Sequence, residues 1–351
     1  MQDPFSSPDA FGDAFQFGLQ RLLEDEEGLG PFILVLANAT FDAALYERLS
    51  LHLARHFGEL AERCRRDFAV GREPREPPDD LAVFLQLMAI GFDAVEIRRQ
   101  RYLGPWEMQF NQIRSLRPKR AAGQRPTSIC LPFDDNGFHF NKPFLQKEIF
   151  WSGSLHGLEM DLLFNKFPFV DFHALLVPSR RNNEPQFLTQ RRHFQVWELC
   201  ERLASRLPGI GIGYNSIGAF ASVNHLHFQT FLRSDPLPVA APCWRHNGGA
   251  DPYPAHCERF EHAYSAWERV ADLHSRQVSY NLVYLPGTLF CLPRQRQGGY
   301  KLPPWSGGHG WYEMAGGVVA FNAEHWRTLS TSDVRAALSA TTAGIAGMSM
   351  D

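Results

Sequence analysis

Residues 213–230 read GYNSIGAFASVNHLHFQT and decide how the rest of the chain is to be understood. They contain His225-x-His227-x-Gln229. On a β-strand successive side chains alternate faces, so His225, His227 and Gln229 are expected to project together while Leu226 and Phe228 point into a core. Two imidazoles and one amide then form a single exposed row, which suits nucleophilic attack by histidine on phosphorus. Asn215 and Ser216 lie upstream, Gly218, Ala219 and Ala221 lie between, and Ser222 adds another hydroxyl. Small residues let a phosphate approach the backbone, and Asn, Ser and Gln donate hydrogen bonds to its oxygens. Zinc is a rival for two alternating histidines. No cluster of Asp or Glu stands nearby to serve a metal.

On the N-terminal side, Gly209-Ile-Gly211-Ile-Gly213 reads as a turn before the motif strand, since it is not a GxGxxG loop and opens no helix. Residues 189–207 have the periodicity of an amphipathic helix that stops before Pro208-Gly209. Residues 150–160 and 162–177 read as strands, and residues 90–112 as short strands with a hairpin around Gly104-Pro105. On the C-terminal side, residues 280–293, YNLVYLPGTLFCLP, read as a hairpin turned at Pro286-Gly287, and residues 331–347 as a helix. Hairpins mixed with a few helices indicate an α+β fold rather than a βαβ series.

Residues 1–70 read as largely helical, with Leu45, Leu49, Leu53, Phe57 and Leu60 recurring at helical spacing within residues 40–70. The segment 71–80, GREPREPPDD, buries little and resists regular structure, so it reads as a linker. The expected organisation is a mostly helical extension over residues 1–78 followed by a catalytic domain over residues 79–351.

The chain has 351 residues, 44% of them hydrophobic and 21% charged, with a formal net charge of −3. That balance gives no global reason to expect nucleic acid or a membrane surface as partner. The six cysteines are scattered, as expected for reduced thiols in a cytoplasm. The N-terminus lacks the basic and apolar regions of a signal peptide, and the apolar run 31–37 is too short to span a bilayer, so a cytoplasmic protein is expected. Cys243, His246, His256 and Cys257 contain the residue types of a zinc site, but their spacing is irregular and the connecting sequence loop-like, so no metal is expected there. Residues 108–133 contain no acidic residue and carry Arg114, Arg117, Lys119, Arg120 and Arg125. The bland reading is a solvated loop face; the functional one is a diphosphate-binding arm.

These motifs together resemble the histidine-triad superfamily, in the transferase branch that carries His-x-His-x-Gln. Within it they are closest to the GDP-L-galactose and GDP-D-glucose phosphorylases. The resemblance spans roughly residues 81–345. It rests on the block from Gln109 to Arg120, on Phe138-His-Phe-Asn141-Lys142 with Glu148-Ile-Phe150, on Asn165-Lys-Phe-Pro168 with His173-Ala-Leu-Leu-Val-Pro178, on residues 214–229, and on Tyr280-Asn-Leu with Trp311-Tyr-Glu-Met-Ala-Gly316. The chain departs at Gln112-Ile113, where the family tends to Glu-Gly.

The resemblance implies a histidine-triad-like fold of the galactose-1-phosphate uridylyltransferase type, with antiparallel sheets and flanking helices. It implies a GDP-hexose phosphorylase in which His227 attacks the α-phosphorus and inorganic phosphate discharges the guanylyl-histidine. His225, Gln229, Asn215, Ser216 and Ser222 would surround the phosphate. Asn165 would contact the ribose or nucleotide, and His173 would play a supporting role beside the triad. Arg114, Lys119 and Arg120, and more weakly Lys142, would hold the diphosphate. The scheme needs no metal and no cofactor, and a homodimer would be in keeping with the superfamily. The rivals are a dinucleoside polyphosphate phosphorylase using the same chemistry, and a nucleotide-binding regulatory protein with little turnover.

Overall fold

The structure, a computed structural model, describes residues 3–118 and 125–342. Four helices come first: α1 (Pro8–Asp25), α2 (Leu29–Ala39), α3 (Ala43–Ala69) and α4 (Pro78–Ile90). There follow β1 (Arg99–Leu103), β2 (Trp106–Phe110), α5 (Gln112–Ser115), β3 (Ile149–Leu155), β4 (Leu158–Phe164), β5 (Ala174–Pro178), α6 (Gln190–Leu203), β6 (Ile210–Asn215) and β7 (Phe228–Leu232). The C-terminal part contains β8 (Glu258–Phe260), α7 (Ala263–Ser275), β9 (Ser279–Leu285), β10 (Thr288–Arg294), α8 (Trp311–Met314), β11 (Gly317–Ala320), α9 (Ala323–Thr328) and α10 (Thr331–Ala340).

Eight strands form one antiparallel sheet in the order β3-β4-β5-β7-β6-β9-β10-β8. The α+β expectation therefore holds. A smaller sheet, β1-β2-β11, departs from it in one pair: β11 runs parallel to β2. The connection between these two strands carries most of the domain, which is length enough for a parallel return. Residues 280–293 form the expected hairpin, β9 and β10.

Three further expectations are corrected. Residues 209–213 are expected as a turn before the motif strand, but strand β6 already begins at Ile210 and runs to Asn215. Its glycines serve the face they lie on. A Cβ at Gly213 would come within 2.3 Å of the Trp311 indole, and one at Gly211 within 2.1 Å of the Phe231 ring. Those two rings stack with centroids 5.1 Å apart. Residues 78–80 are not linker but the first turn of α4. Proline suits the first turn because it lacks only an N–H that has no intrahelical partner there, and Asp79 and Asp80 favour the positive end of the helix. Finally, α10 ends at Ala340 rather than continuing to residue 347, and residues 343–351 lie outside the described residues.

The four N-terminal helices pack around α2, every residue of which is buried. Their apolar cluster also takes in Phe164, Phe167 and Ala174 from the β4–β5 region. Polar contacts cross the same seam: Asn38 Nδ2 donates to the Asn165 carbonyl at 2.9 Å, Lys147 pairs with Glu26, and Lys166 with Asp80. No helix among the described residues is long and apolar enough to cross a membrane.

Candidate active site

His225 and His227 lie in the extended approach to β7, which begins at Phe228, and not on the strand itself. The reason is that the backbone here is bonded elsewhere. Leu226 N–H donates to the Glu184 carbonyl at 2.7 Å, and His227 N–H to Gln186 Oε1 at 2.8 Å. Alternation survives all the same. Leu226 and Phe228 are wholly buried in the main core, each stabilising this register by about 1.5–3 kcal/mol. The row on the other face is not exposed as expected: His225, His227 and Gln229 retain 1%, 5% and 9% of their accessible surface.

The hydrogen bonds fix which imidazole nitrogen carries the proton. His227 Nδ1 lies 2.8 Å from the His225 carbonyl, an acceptor only, so Nδ1 is the donor and Nε2 keeps its lone pair. Among the described residues Nε2 has no hydrogen-bond partner. Burial presses the His227 pKa down to about 4, so the ring is neutral at neutral pH. His225 is oriented the other way. Its Nδ1 accepts from Phe140 N–H at 3.1 Å, and its Nε2 donates to the Arg180 carbonyl at 3.0 Å. Burial, and secondarily His227, lower its pKa to about 4. With both ring nitrogens spent on backbone, the two histidines do not offer a pair of lone pairs to one ion.

Gln229 pairs with Gly213 on one side and Leu175 on the other. Its Oε1 accepts from Trp311 Nε1 at 2.9 Å and lies 3.1 Å from His173 Nε2. An indole N–H only donates, so this contact settles the amide orientation and leaves Gln229 Nε2 as a donor with no partner among the described residues. Asn215 is arranged alike: its Oδ1 accepts from Asn281 Nδ2 and from Trp311 N–H, both at 2.7 Å, leaving Nδ2 without a partner among the described residues. The row thus presents one nucleophilic nitrogen and two amide donors, each aimed by a group that can play only one role.

The remaining sequence candidates divide. Ser216 Oγ accepts from Tyr280 N–H at 2.9 Å and donates to the Ile217 carbonyl, so it fastens the loop to β9 rather than facing the row. Ser222 is half-buried and makes no hydrogen bond through its hydroxyl among the described residues. His173 is fully buried and sits beside Gln229; Nδ1 accepts from Phe169 N–H at 3.4 Å, so Nε2 donates to Gln229. Burial and the Arg114 charge hold its pKa well below the usual histidine range. Asn165 closes a turn by accepting from Phe167 N–H at 3.0 Å, with Nδ2 3.2 Å from His173 Nε2. A cavity of about 300 Å³ has His173 in its wall, together with Phe15, Asn38, Phe41, Arg98 and Asp171.

Arg114 donates to the Phe167 carbonyl and lies over the Phe169 ring, 4.2 Å from its centroid. Burial, then the neighbouring Arg117, lower its pKa to about 9, leaving it cationic at neutral pH. Neither arginine has a carboxylate within ion-pair distance among the described residues; Glu313 attracts both from further off. Lys119 and Arg120 lie outside the described residues. Lys142 Nζ donates to the Asp135 carbonyl at 3.2 Å. At the irregular cysteine segment, His246 Nε2 is engaged by the Val239 carbonyl and His256 Nε2 by Glu258, so these nitrogens do not converge.

Two residues that the motif did not reveal hold the row in place. Gln186, 1% exposed, accepts from His227 N–H and donates to the carbonyls of both His227 (3.1 Å) and Asn215 (2.9 Å). It bridges the end of β6 to the start of β7. Arg180, likewise buried, ion-pairs with Asp161 and donates to the Phe140 carbonyl, Asn141 and Gln146, while its own carbonyl receives His225. Left-handed Ser179 (φ 41°) and Asn183 (φ 53°) flank this bend. A glutamine and an arginine in loops carry no periodic signal, so only the fold could find them.

Residues 104–231 match the model of a family described as GDPGP1-like, N-terminal domain. The chain is 34% identical over 132 residues to GDP-D-glucose phosphorylase 1 of Danio rerio, a segment that is 37% of each chain. It is 25% identical over 223 residues to GDP-L-galactose phosphorylase 1 of Arabidopsis thaliana, covering 55% of this chain and 48% of that one. The chain therefore spans less than half the length of these curated relatives. The crystal structure of yeast Ap4A phosphorylase Apa2 superimposes with a TM-score of 0.50 at 16% identity, over 78% of this chain and 98% of that one. The overall likeness is of fold: an α+β architecture of the histidine-triad type. In sequence the chain resembles the GDP-hexose phosphorylases.

Proposed function

We propose that the protein is a nucleotidyltransferase that phosphorolyses GDP-hexoses through a covalent guanylyl-His227. The observation that carries this reading is His227 itself: neutral, with Nδ1–H tied to its own neighbour's carbonyl and Nε2 unengaged. Its lone pair attacks the α-phosphorus as the bond to the bridging oxygen breaks, and hexose 1-phosphate leaves with that electron pair. The ring becomes cationic, which strengthens the Nδ1–H bond to the His225 carbonyl. Gln229 Nε2 and Asn215 Nδ2 donate to the phosphoryl oxygens as charge accumulates there. An oxygen of inorganic phosphate then attacks the same phosphorus, the P–Nε2 bond breaks, and GDP is released.

His225 acts in this scheme through position rather than contact. Both its nitrogens are occupied, so it fixes the backbone whose carbonyl holds His227. Arg114 and Arg117 supply positive charge for the diphosphate, and Asn165 and His173 border the nucleoside end, where the nearby cavity offers room.

Intact-protein mass spectrometry after brief mixing with GDP-glucose, GDP-mannose or GDP-L-galactose, without phosphate, tests the reading. A gain of one GMP unit is expected, absent in His227→Ala and discharged by phosphate. Removing such a nucleophile is expected to lower turnover by about 10⁴-fold or more. An AMP adduct from diadenosine tetraphosphate, with none from the GDP-sugars, would overturn the assignment of substrate while keeping the chemistry.

A further inference from the structure

Arg294 closes β10 with a side chain that is 1% exposed. Among the described residues its guanidinium meets only neutral acceptors: Asn281 Oδ1 at 3.3 Å, the Gln295 carbonyl at 3.2 Å, the His309 carbonyl and Tyr300 Oη. No carboxylate lies within ion-pair distance among the described residues. Glu313 attracts it from further away, but Glu313 Oε2 is taken by Gly310 N–H at 2.9 Å. A cation withdrawn from water without a counter-charge is strongly disfavoured.

The same cluster contains a second orphan. Tyr300 Oη accepts from Arg294, so its proton is directed to His309 Nδ1, 3.0 Å away. That places the His309 proton on Nε2, and this nitrogen is buried with no hydrogen-bond partner among the described residues. His309 is 2% exposed, and its ring stacks on Tyr300. An uncompensated cation and an unaccepted donor both call for an anion.

The cluster adjoins the row. Asn281 accepts from Arg294 and donates to Asn215 Oδ1, and Gly310, next to His309, is close enough that a Cβ there would lie 3.5 Å from Asn215 Nδ2. Between Arg294 and α8 the chain has no helix or strand, and this loop supplies both Tyr300 and His309.

We infer that Arg294, Tyr300 and His309 form a second anion subsite, which takes the inorganic phosphate that discharges the guanylyl-enzyme. Its place in the reaction rests on the phosphorolysis reading; its affinity for phosphate does not. The anion displaces the His309 carbonyl from Arg294 and accepts from His309 Nε2, whose proton is kept there by the Tyr300 hydroxyl donating to Nδ1. Arg114 and Arg117 then serve the nucleotide's own diphosphate, and Arg294 the acceptor. In the discharge, a phosphate oxygen forms the new P–O bond, the P–Nε2 electron pair returns to His227, and any proton on the incoming phosphate leaves to solvent with the GDP.

The test measures each half separately. Arg294→Gln should form the GMP adduct within about threefold of the wild-type rate, yet need at least about tenfold more phosphate for half-maximal discharge. Arg294→Lys should recover part of that loss. Tyr300→Phe and His309→Phe, which leave the buried cation in place, should each raise the requirement by a few-fold and stand in if Arg294→Gln does not fold. Reversal of the adduct by glucose 1-phosphate should be unchanged. Discharge of Arg294→Gln at the wild-type phosphate concentration would overturn the proposal, as would a defect confined to glucose 1-phosphate. Direct titration with inorganic phosphate alone, followed by ³¹P NMR, separates the two readings. Binding that depends on Arg294 supports the subsite even if no nucleotide forms an adduct, and equal binding by wild type and Arg294→Gln overturns it.

Discussion

The His225–Gln229 row and the Arg114–Arg117 arm stand at opposite extremes of organisation. In the row, each polar atom facing inward has a fixed partner of fixed role, and both imidazoles are held neutral by burial. In the arm, charge is carried on guanidinium groups with no paired carboxylate among the described residues, and Arg117 is exposed. The proposed phosphoryl transfer needs both. A nucleophile must be unprotonated and aimed before substrate arrives, because orienting it later would add to the barrier. A polyanionic substrate must first be drawn in, which exposed cations do without precise geometry. Changes in the row should therefore appear in kcat and in adduct formation, and changes in the arm in KM and in salt dependence.

The largest expected effect that sharpens this contrast comes from Gln229→Glu. The substitution keeps an oxygen for Trp311 and His173 but exchanges the free amide donor for an acceptor. Loss of one such preorganised donor costs about 10²–10³ in rate. Adduct formation should fall by that factor, with Trp311 fluorescence little altered. A rate within threefold of wild type would mean that Gln229 Nε2 does not face the phosphoryl group.

Much of this division could be read from the residues alone. The alternation of His225, Leu226, His227 and Phe228 told which side chains enter the core, and Pro286-Gly287 told where β9 turns into β10. What the sequence concealed was the wiring. Gln186 is 41 positions from His227 and Arg180 is 45 from His225, and neither belongs to a periodic pattern. The glycines of β6 read as a turn because their purpose, admitting Phe231 and Trp311, depends on a ring 98 positions beyond Gly213, a separation that follows from 311 − 213. The burial of the row was equally hidden, since the strap bearing Phe140 and the bend at Arg180 cover it from remote segments.

A smaller effect is expected in the arm. Arg117→Gln should raise the KM for a GDP-sugar by about 3–10-fold, which corresponds to about 0.7–1.4 kcal/mol, with kcat within twofold. The effect should shrink as ionic strength rises, since exposed charges are screened over about 8–10 Å at physiological salt. Arg114→Gln should behave differently, because its guanidinium also fastens the Phe167 carbonyl and covers Phe169; it should lower the melting temperature as well as affinity. A change in kcat alone for Arg117→Gln would break the contrast between row and arm.

The smallest effect on rate lies in pH. An ordinary histidine nucleophile loses activity below about pH 6.5 as it takes up a proton. His227, with its pKa lowered to about 4 by burial, should stay unprotonated well below that. The rate of GMP-adduct formation should accordingly be flat from pH 8 to about 5.5 and fall only as pH nears 4. Stability carries the opposite face of the same shift. The unfolded chain binds the proton near 6.5 and the folded chain only near 4, so the stabilisation is complete above 6.5 and is lost as pH falls between these values. Each such histidine contributes a slope of about 1.4 kcal/mol per pH unit in that window. His227→Ala removes one share, so its unfolding free energy should decline less steeply than wild type between pH 6.5 and 4. Denaturant melts across that range measure the difference in slope. Identical slopes, or an adduct rate that halves near pH 6.5, would show that the His227 ring is not held neutral by its surroundings, and the distinction between a wired, neutral row and a charged, unpaired arm would fail at its central residue.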